Sequence, residues 1–139
     1  MTTPHILLVD DSVDDIELAQ RVLSRVAPDA IQTVACDGVQ ALELLHAAEG
    51  VRLVPTVILL DLKMPRLDGT DVLKALRANE ATQRIPVVMF SSSNERGDVR
   101  RCLELGANSY VRKPINFGEY EKVLGVIATY WLRINERAH

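Results

Sequence analysis

Histidine and cysteine are few and scattered. The 139 residues hold three histidines, His5, His46 and His139, and two cysteines, Cys36 and Cys102, with no spacing that would assemble a zinc site or a redox pair. Two isolated thiols read as inert core fillers. Long apolar runs are missing too. The opening residues lead only into Ile6–Val9, four residues that are too short for a signal peptide or a membrane span. A cytoplasmic protein without membrane attachment is expected. No basic cluster or recognition-helix pattern stands out, and a formal net charge of −3 argues against a nucleic-acid partner. With 47% hydrophobic content the chain can bury one good core, so residues 1–139 are expected to form a single domain without a second module.

Short apolar runs alternate with amphipathic stretches along the chain. Ile6–Val9 reads as a first strand ending in Asp10 and Asp11. Asp14–Val26 reads as a helix with Ile16, Leu18, Ala19, Val22, Leu23 and Val26 on one face, closed by Pro28. A second strand spans Ala30–Cys36, and Asp37 to Gln40 has capping-box spacing before the helical residues Ala41, Leu42, Leu44, Leu45 and Ala48, with Gly50 at the end. Val57–Leu60 is an uninterrupted apolar run, the pattern of a strand covered on both faces. Asp61 ends it abruptly. A carboxylate is costly to bury unpaired, so Asp61 belongs at the strand's carboxyl end, facing solvent or a cation. Met64-Pro65 and Asp68-Gly69 then turn the chain into a helix from Thr70 to Ala78.

The second half repeats the pattern. Ile85–Phe90 is a fourth strand ending in Ser91, Glu95–Leu105 a helix stopped by Gly106, and Asn108–Arg112 a fifth strand ending at Lys113-Pro114. Asn116 caps a last helix, with Glu119 in box position. Asp14, Asp15 and Glu17 are read as helix-start charges that favour the macrodipole rather than as ligands. Five strands alternating with five helices predict an α/β protein, a doubly wound parallel sheet of order 2-1-3-4-5, with a crevice between the first and third strands. Asp10, Asp11 and Asp61 would meet in that crevice, with Ser91 and Lys113 leaving neighbouring strands at the same edge.

Three clustered carboxylates repel, and a hard divalent cation relieves the repulsion. Magnesium suits an oxygen-only site with few protein ligands. A carboxylate beside magnesium and an ammonium can attack a phosphoryl group, which makes Asp61 the expected nucleophile.

Asp10-Asp11, the run ending in Asp61, Met64-Pro65 with Asp68-Gly69, Ser91 after an apolar strand, and Tyr110 before Lys113-Pro114 resemble the receiver domain of two-component response regulators, over nearly the whole chain. The resemblance implies a flavodoxin-like receiver fold and a phosphorylation switch fed by a sensor histidine kinase, not a turnover enzyme. It implies that Asp61 is the phosphoacceptor and Asp11 a direct magnesium ligand, with Asp10 acting through water and the Lys63 backbone carbonyl completing the set. Lys113 would pair with the phosphoryl group, Ser91 would donate its hydroxyl to it, Tyr110 would swing inward on activation, and Pro114 would follow a cis bond. Lys63 departs from the uncharged residue common at its position, which bears on how fast water removes the phosphoryl group. Gln83 to Pro86 and Thr129 to Leu132 are similar to small stand-alone regulators that pair with bacterial phytochrome kinases, and no attached output domain is expected.

Two other readings use part of the same chemistry. An aspartyl-phosphate phosphatase of the haloacid dehalogenase type wants Asp-x-Asp after its first strand, whereas Asp10-Asp11-Ser12 stands here. A flavodoxin-like cofactor module wants a Gly- or Ser/Thr-rich phosphate cradle where this loop carries acid. The last helix, Phe117 to about Ile134, carries a stripe of Phe117, Tyr120, Leu124, Ile127 and Trp131 for the sheet. Val123, Val126, Tyr130 and Ile134 widen it beyond one core contact, which predicts a homodimer through this helix.

Overall fold

The computed structural model describes residues 3–46 and 52–137. Five strands, β1 (His5–Val9), β2 (Ile31–Ala35), β3 (Val57–Leu60), β4 (Val87–Ser91) and β5 (Ser109–Arg112), form one parallel sheet in the order β2-β1-β3-β4-β5. This is the predicted order. Between them run α1 (Val13–Val26), α2 (Gly38–Leu45), α3 (Gly69–Ala78) and α4 (Arg96–Glu104), followed by α5 (Phe117–Thr129). No helix among the described residues is long and apolar enough to cross a membrane.

Successive strand side chains point to opposite faces, so each central strand feeds two cores. Leu7, Val9, Ile58, Leu60, Val87 and Met89 pack with residues of α2 and α3 on one face. Ile6, Leu8, Val57, Leu59, Val88 and Phe90 pack with α1 and α5 on the other. The four residues of β3 are all buried, which is why that run shows no polar alternation. Burying each such aliphatic side chain contributes about 1.5–3 kcal/mol.

Register fixes what happens at the carboxyl edge. Val9 stands opposite Leu60, so Asp10 and Asp61, the next residue on each strand, leave the sheet side by side. Ser91 stands opposite Arg112, and the Lys113 N–H extends the pairing to the Ser91 carbonyl at 2.7 Å.

Several expectations need correction. Cys102 is buried, but Cys36 is exposed, because it lies one residue beyond the last paired position of the edge strand β2. Its N–H is held by Gln40 Oε1 at 2.7 Å, while Asp37 Oδ1 accepts the Gln40 N–H at 2.8 Å. The Gln40 side chain therefore reaches one residue further back than a capping box would take it. Ala48 and Gly50 lie outside the described residues.

The last helix does not continue as one α-helix to Ile134. It passes into a π-helical turn, Tyr130–Ile134, whose extra residue per turn changes the phase of the apolar stripe. Tyr120, Leu124, Ile127, Ala128 and Leu132 are buried, whereas Phe117 is 49% exposed and Trp131 only half-buried. Phe117 is the first helical residue, directly after the Asn116 cap. The Lys113–Pro114 bond is trans, since no cis peptide occurs among the described residues. This is the isomer an X–Pro bond ordinarily prefers, by about 0.5–1 kcal/mol.

Candidate functional site

Asp10 follows β1 and Asp61 follows β3, and each carboxylate is partly committed to its own loop. Asp10 Oδ1 accepts the Ser12 N–H at 2.9 Å and Asp61 Oδ1 accepts the Leu62 N–H at 2.9 Å. Asp11 is exposed beside them. One oxygen from each of Asp10, Asp11 and Asp61 lies within 4.8 Å of the others. Burial pushes the Asp61 carboxyl up to about 6; the Lys113 charge and the Leu62 N–H oppose this, while the charges of Asp10 and Asp11 add to it. Like-charged oxygens so close, with no Cys or His among them, are the donor set of a hard divalent cation.

Lys113 Nζ donates to Asp10 Oδ2 at 2.7 Å and to Asp15 Oδ2 at 3.0 Å, and it stands 3.9 Å from Asp61 Oδ2. Its side chain is only 10% exposed, and the ammonium lies 5.9 Å from the centre of the Phe90 ring. Burial alone would lower its pKa, but the Asp10 hydrogen bond and the charges of Asp61 and Asp10 outweigh burial and raise it. It is a cation at neutral pH. Asp15 had read as a helix-start charge, and it does occupy the first turn of α1. Ser12 Oγ caps the helix by accepting the Asp15 N–H at 3.3 Å, and the Asp15 carboxylate accepts from Lys113 Nζ at 3.0 Å. A residue 98 positions away in sequence leaves no local signal of the pairing.

The loop after Asp61 is shaped by one close approach. A Cβ on Gly69 would lie 2.5 Å from the Asp61 carbonyl oxygen and 2.9 Å from Leu62 Cα, so only glycine lets α3 start against the strand end. The Gly69 N–H closes the loop on the Leu62 carbonyl at 2.8 Å. Within it Arg66 adopts φ 65°, a left-handed conformation uncommon outside glycine. Asp68 caps α3 through Thr70 and Asp71 N–H groups, and Asp71 completes the capping box. Burial would raise the Asp68 pKa, but these hydrogen bonds prevail and lower it.

The remaining expected residues are grouped next to this cluster. Ser91 is buried at the end of β4, and its Oγ accepts the Ser93 N–H at 3.2 Å. Tyr110, half-buried on β5, donates its hydroxyl to the Ser93 carbonyl at 2.8 Å. The Lys63 side chain turns outward, with Nζ 3.6 Å from Asp98 Oδ2. Asp10, Asp11, Asp61 and Lys113 are thus brought together, while Tyr110 and the Lys63 ammonium engage Ser93 and Asp98. Ser93 flanks the site two positions after Ser91, as Lys63 does after Asp61, whereas no sequence pattern marks Asp98 for this arrangement.

Residues 6–124 match the response regulator receiver domain family. The chain is 36% identical over 129 residues to the response regulator Rcp1 of a Synechocystis species, covering 91% of this chain and 88% of that protein. The crystal structure of the phosphorylated cyanobacterial phytochrome response regulator RcpA superposes with a TM-score of 0.90 at 30% identity, covering 97% of this chain and 98% of that one. The Mn(2+)-bound form of Rcp1 gives 0.88 at 34% identity, over 98% of this chain and 99% of that one.

Proposed function

The chain belongs to the response regulator receiver domain family, and we propose that it is a phosphorylation switch of a two-component system, accepting a phosphoryl group on Asp61 from the phosphohistidine of a sensor histidine kinase. One observation carries the reading. Asp10, Asp11 and Asp61 converge on one point at the carboxyl edge of the sheet, with the Lys113 ammonium beside them.

In the transfer an Asp61 carboxylate oxygen forms the new P–O bond while the P–N bond to the kinase histidine breaks, and that nitrogen leaves with the bonding pair. Asp10, Asp11, Asp61 and the Lys63 backbone carbonyl would hold Mg2+, which supplies neutralisation of phosphoryl charge when bound. Lys113, already 3.9 Å from Asp61, pairs with a phosphoryl oxygen once one is present. Ser91 turns its hydroxyl to another, and Tyr110 moves into the space this leaves. The protein undergoes one self-limited phosphorylation and hydrolysis; it is a switch and not a turnover catalyst.

The partner kinase is proposed to be a bacterial phytochrome. The likeness to Rcp1 and to the phytochrome response regulator RcpA over nearly whole chains supports this. Homodimerisation through α5 and the turn that follows it is the second part of the proposal. Val126, Tyr130 and Ile134 are 68%, 44% and 63% exposed, an apolar surface that a two-fold contact would cover.

Acetyl phosphate should label the protein when magnesium is present and not after chelation, and Asp61→Asn should abolish labelling. Stoichiometric labelling that persists in Asp61→Asn overturns the assignment.

A further inference from the structure

Lys113 meets the loop after β1 at two points that Ser12 ties together. The Ser12 N–H donates to Asp10 Oδ1 at 2.9 Å and Ser12 Oγ accepts the Asp15 N–H at 3.3 Å, while Asp10 Oδ2 and Asp15 Oδ2 accept from the Lys113 ammonium at 2.7 and 3.0 Å. The two carboxylates form a clamp on one cation. Neither belongs to the expected phosphoacceptor, whose Oδ2 stands 3.9 Å from the same ammonium.

The two halves of the clamp differ in what else they can hold. Asp10 shares an oxygen-only cluster with Asp11 and Asp61, where a divalent ion would give its charge a second partner. Asp15 is not one of those three. Its side chain is 42% exposed, and Lys113 is its one cation among the described residues. The helix dipole favours any carboxylate in the first turn of α1, so it accounts for the exposed Asp14 and for Asp15 alike. It does not account for the bond that Asp15 makes across 98 positions.

A lysine that pairs with a phosphoryl oxygen on Asp61 has to loosen this clamp. An ammonium has three N–H donors, and two are spent on Asp10 and Asp15. The gap of 3.9 Å to Asp61 exceeds a hydrogen bond, so closing it lengthens the bonds that Lys113 already makes. Space for the shift exists. A cavity lined by Asp10, Asp15, Asp61, Phe90 and Tyr120 lies against the clamp, and side chains can move there without displacing close-packed neighbours.

We propose that Asp15 is a positioning residue that holds Lys113 back from Asp61 and competes with the phosphoryl group for the ammonium, setting how readily the site is occupied. The proposal rests on Asp61 being the phosphoacceptor. With Asp10 turned to a bound divalent ion, Asp15 is the carboxylate that still holds Lys113. Once a phosphoryl group is in place, Asp15 gives up its ammonium and receives no charge in return. That loss counts against the occupied state, so removing Asp15 favours it.

The test measures, at saturating magnesium, the affinity for beryllofluoride, a tetrahedral mimic of the phosphoryl group, and the labelling rate with acetyl phosphate. The nitrogen NMR resonance of Lys113 Nζ is followed in the metal-free protein. Asp15→Ala keeps the N–H that Ser12 caps, so its helix start is preserved. It should bind beryllofluoride more tightly and take label faster by about three- to tenfold, the size of one partly exposed charge-assisted bond, and it should shift the Lys113 resonance. Asp15→Asn keeps an acceptor but loses the charge, and should fall between Asp15→Ala and the parent. Asp14→Ala removes the same charge from the same turn and should behave as the parent. In a Lys113→Ala background Asp15→Ala should leave the affinity where Lys113→Ala alone puts it. An Asp15→Ala affinity that is unchanged or weaker, an equal gain in Asp14→Ala, or a gain that persists without Lys113 overturns the proposal. A parent that binds no beryllofluoride and takes no label overturns the phosphoacceptor reading instead. A Lys113 resonance that is the same in the parent and in Asp15→Ala then overturns the restraint as well.

Discussion

Lys113 Nζ is 2.7 Å from Asp10 and 3.9 Å from Asp61, so the buried ammonium is neutralised mainly by a neighbour of the expected phosphoacceptor. Asp15 takes a second of its donors. Asp61 keeps one N–H from Leu62 and the Lys113 ammonium only at 3.9 Å, and burial outweighs both in setting its protonation. That spacing suits a residue that must present a free oxygen to an incoming group.

The raised pKa of Asp61 makes a stability prediction. Its folded value of about 6 exceeds the unfolded value of about 3.9, so between these values the folded state binds more protons and stability falls as pH rises. Above about pH 6 the ionised carboxylate costs about 3 kcal/mol relative to its unfolded reference. Asp61→Asn escapes that cost. Urea titrations without divalent ions should find Asp61→Asn more stable than the parent by about 1–3 kcal/mol near pH 7.5, with the gain gone near pH 4. Magnesium should stabilise the parent more than the variant.

Gly69→Ala tests whether the loop positions Asp61. The added methyl meets the Asp61 carbonyl at 2.5 Å, and backbone on both sides must give way. The variant should lose about 1–3 kcal/mol of stability and take label more slowly than the parent at equal folded fraction. Unchanged labelling would mean that the α3 start does not set the carboxylate's place.

Lys63 and Ser93 flank the site, and neither presents a free acceptor to orient an attacking water. The Ser93 oxygen accepts the Glu95 N–H at 3.4 Å while its hydroxyl is donated to Asp98. Hydrolysis of the acyl phosphate should be slow, and Lys63→Asn should shorten its lifetime about several-fold by removing a long cation and adding a side-chain carbonyl. A lifetime equal to the parent's, or longer, rules this out.

Tyr130 sits edge-on to Trp131, with ring centroids 5.0 Å apart, on the exposed side of the last turn. Tyr130→Asp should convert a dimer to a monomer while Asp61 remains competent for labelling. Sedimentation that finds the parent monomeric at high micromolar concentration, with and without phosphorylation, removes the dimer.

The strand order and the edge residues are legible in the sequence because each rests on a local pattern. A strand covered on both faces must be apolar throughout, so a charged or hydroxylated residue directly after such a run marks its carboxyl end; Asp10, Asp61 and Ser91 all announce themselves that way. Parallel pairing with crossover helices then brings those ends to one edge without further information. The pairings made there follow a different logic. Lys113 finds Asp15 across 98 positions, and Tyr110 reaches Ser93 across 17, through side-chain directions that no periodicity encodes. The exposure of Cys36 depends on where β2 stops pairing, and the exposure of Phe117 on where α5 begins. Local order writes the elements into the chain, while which polar group meets which is settled only when the packed elements bring donors and acceptors within reach.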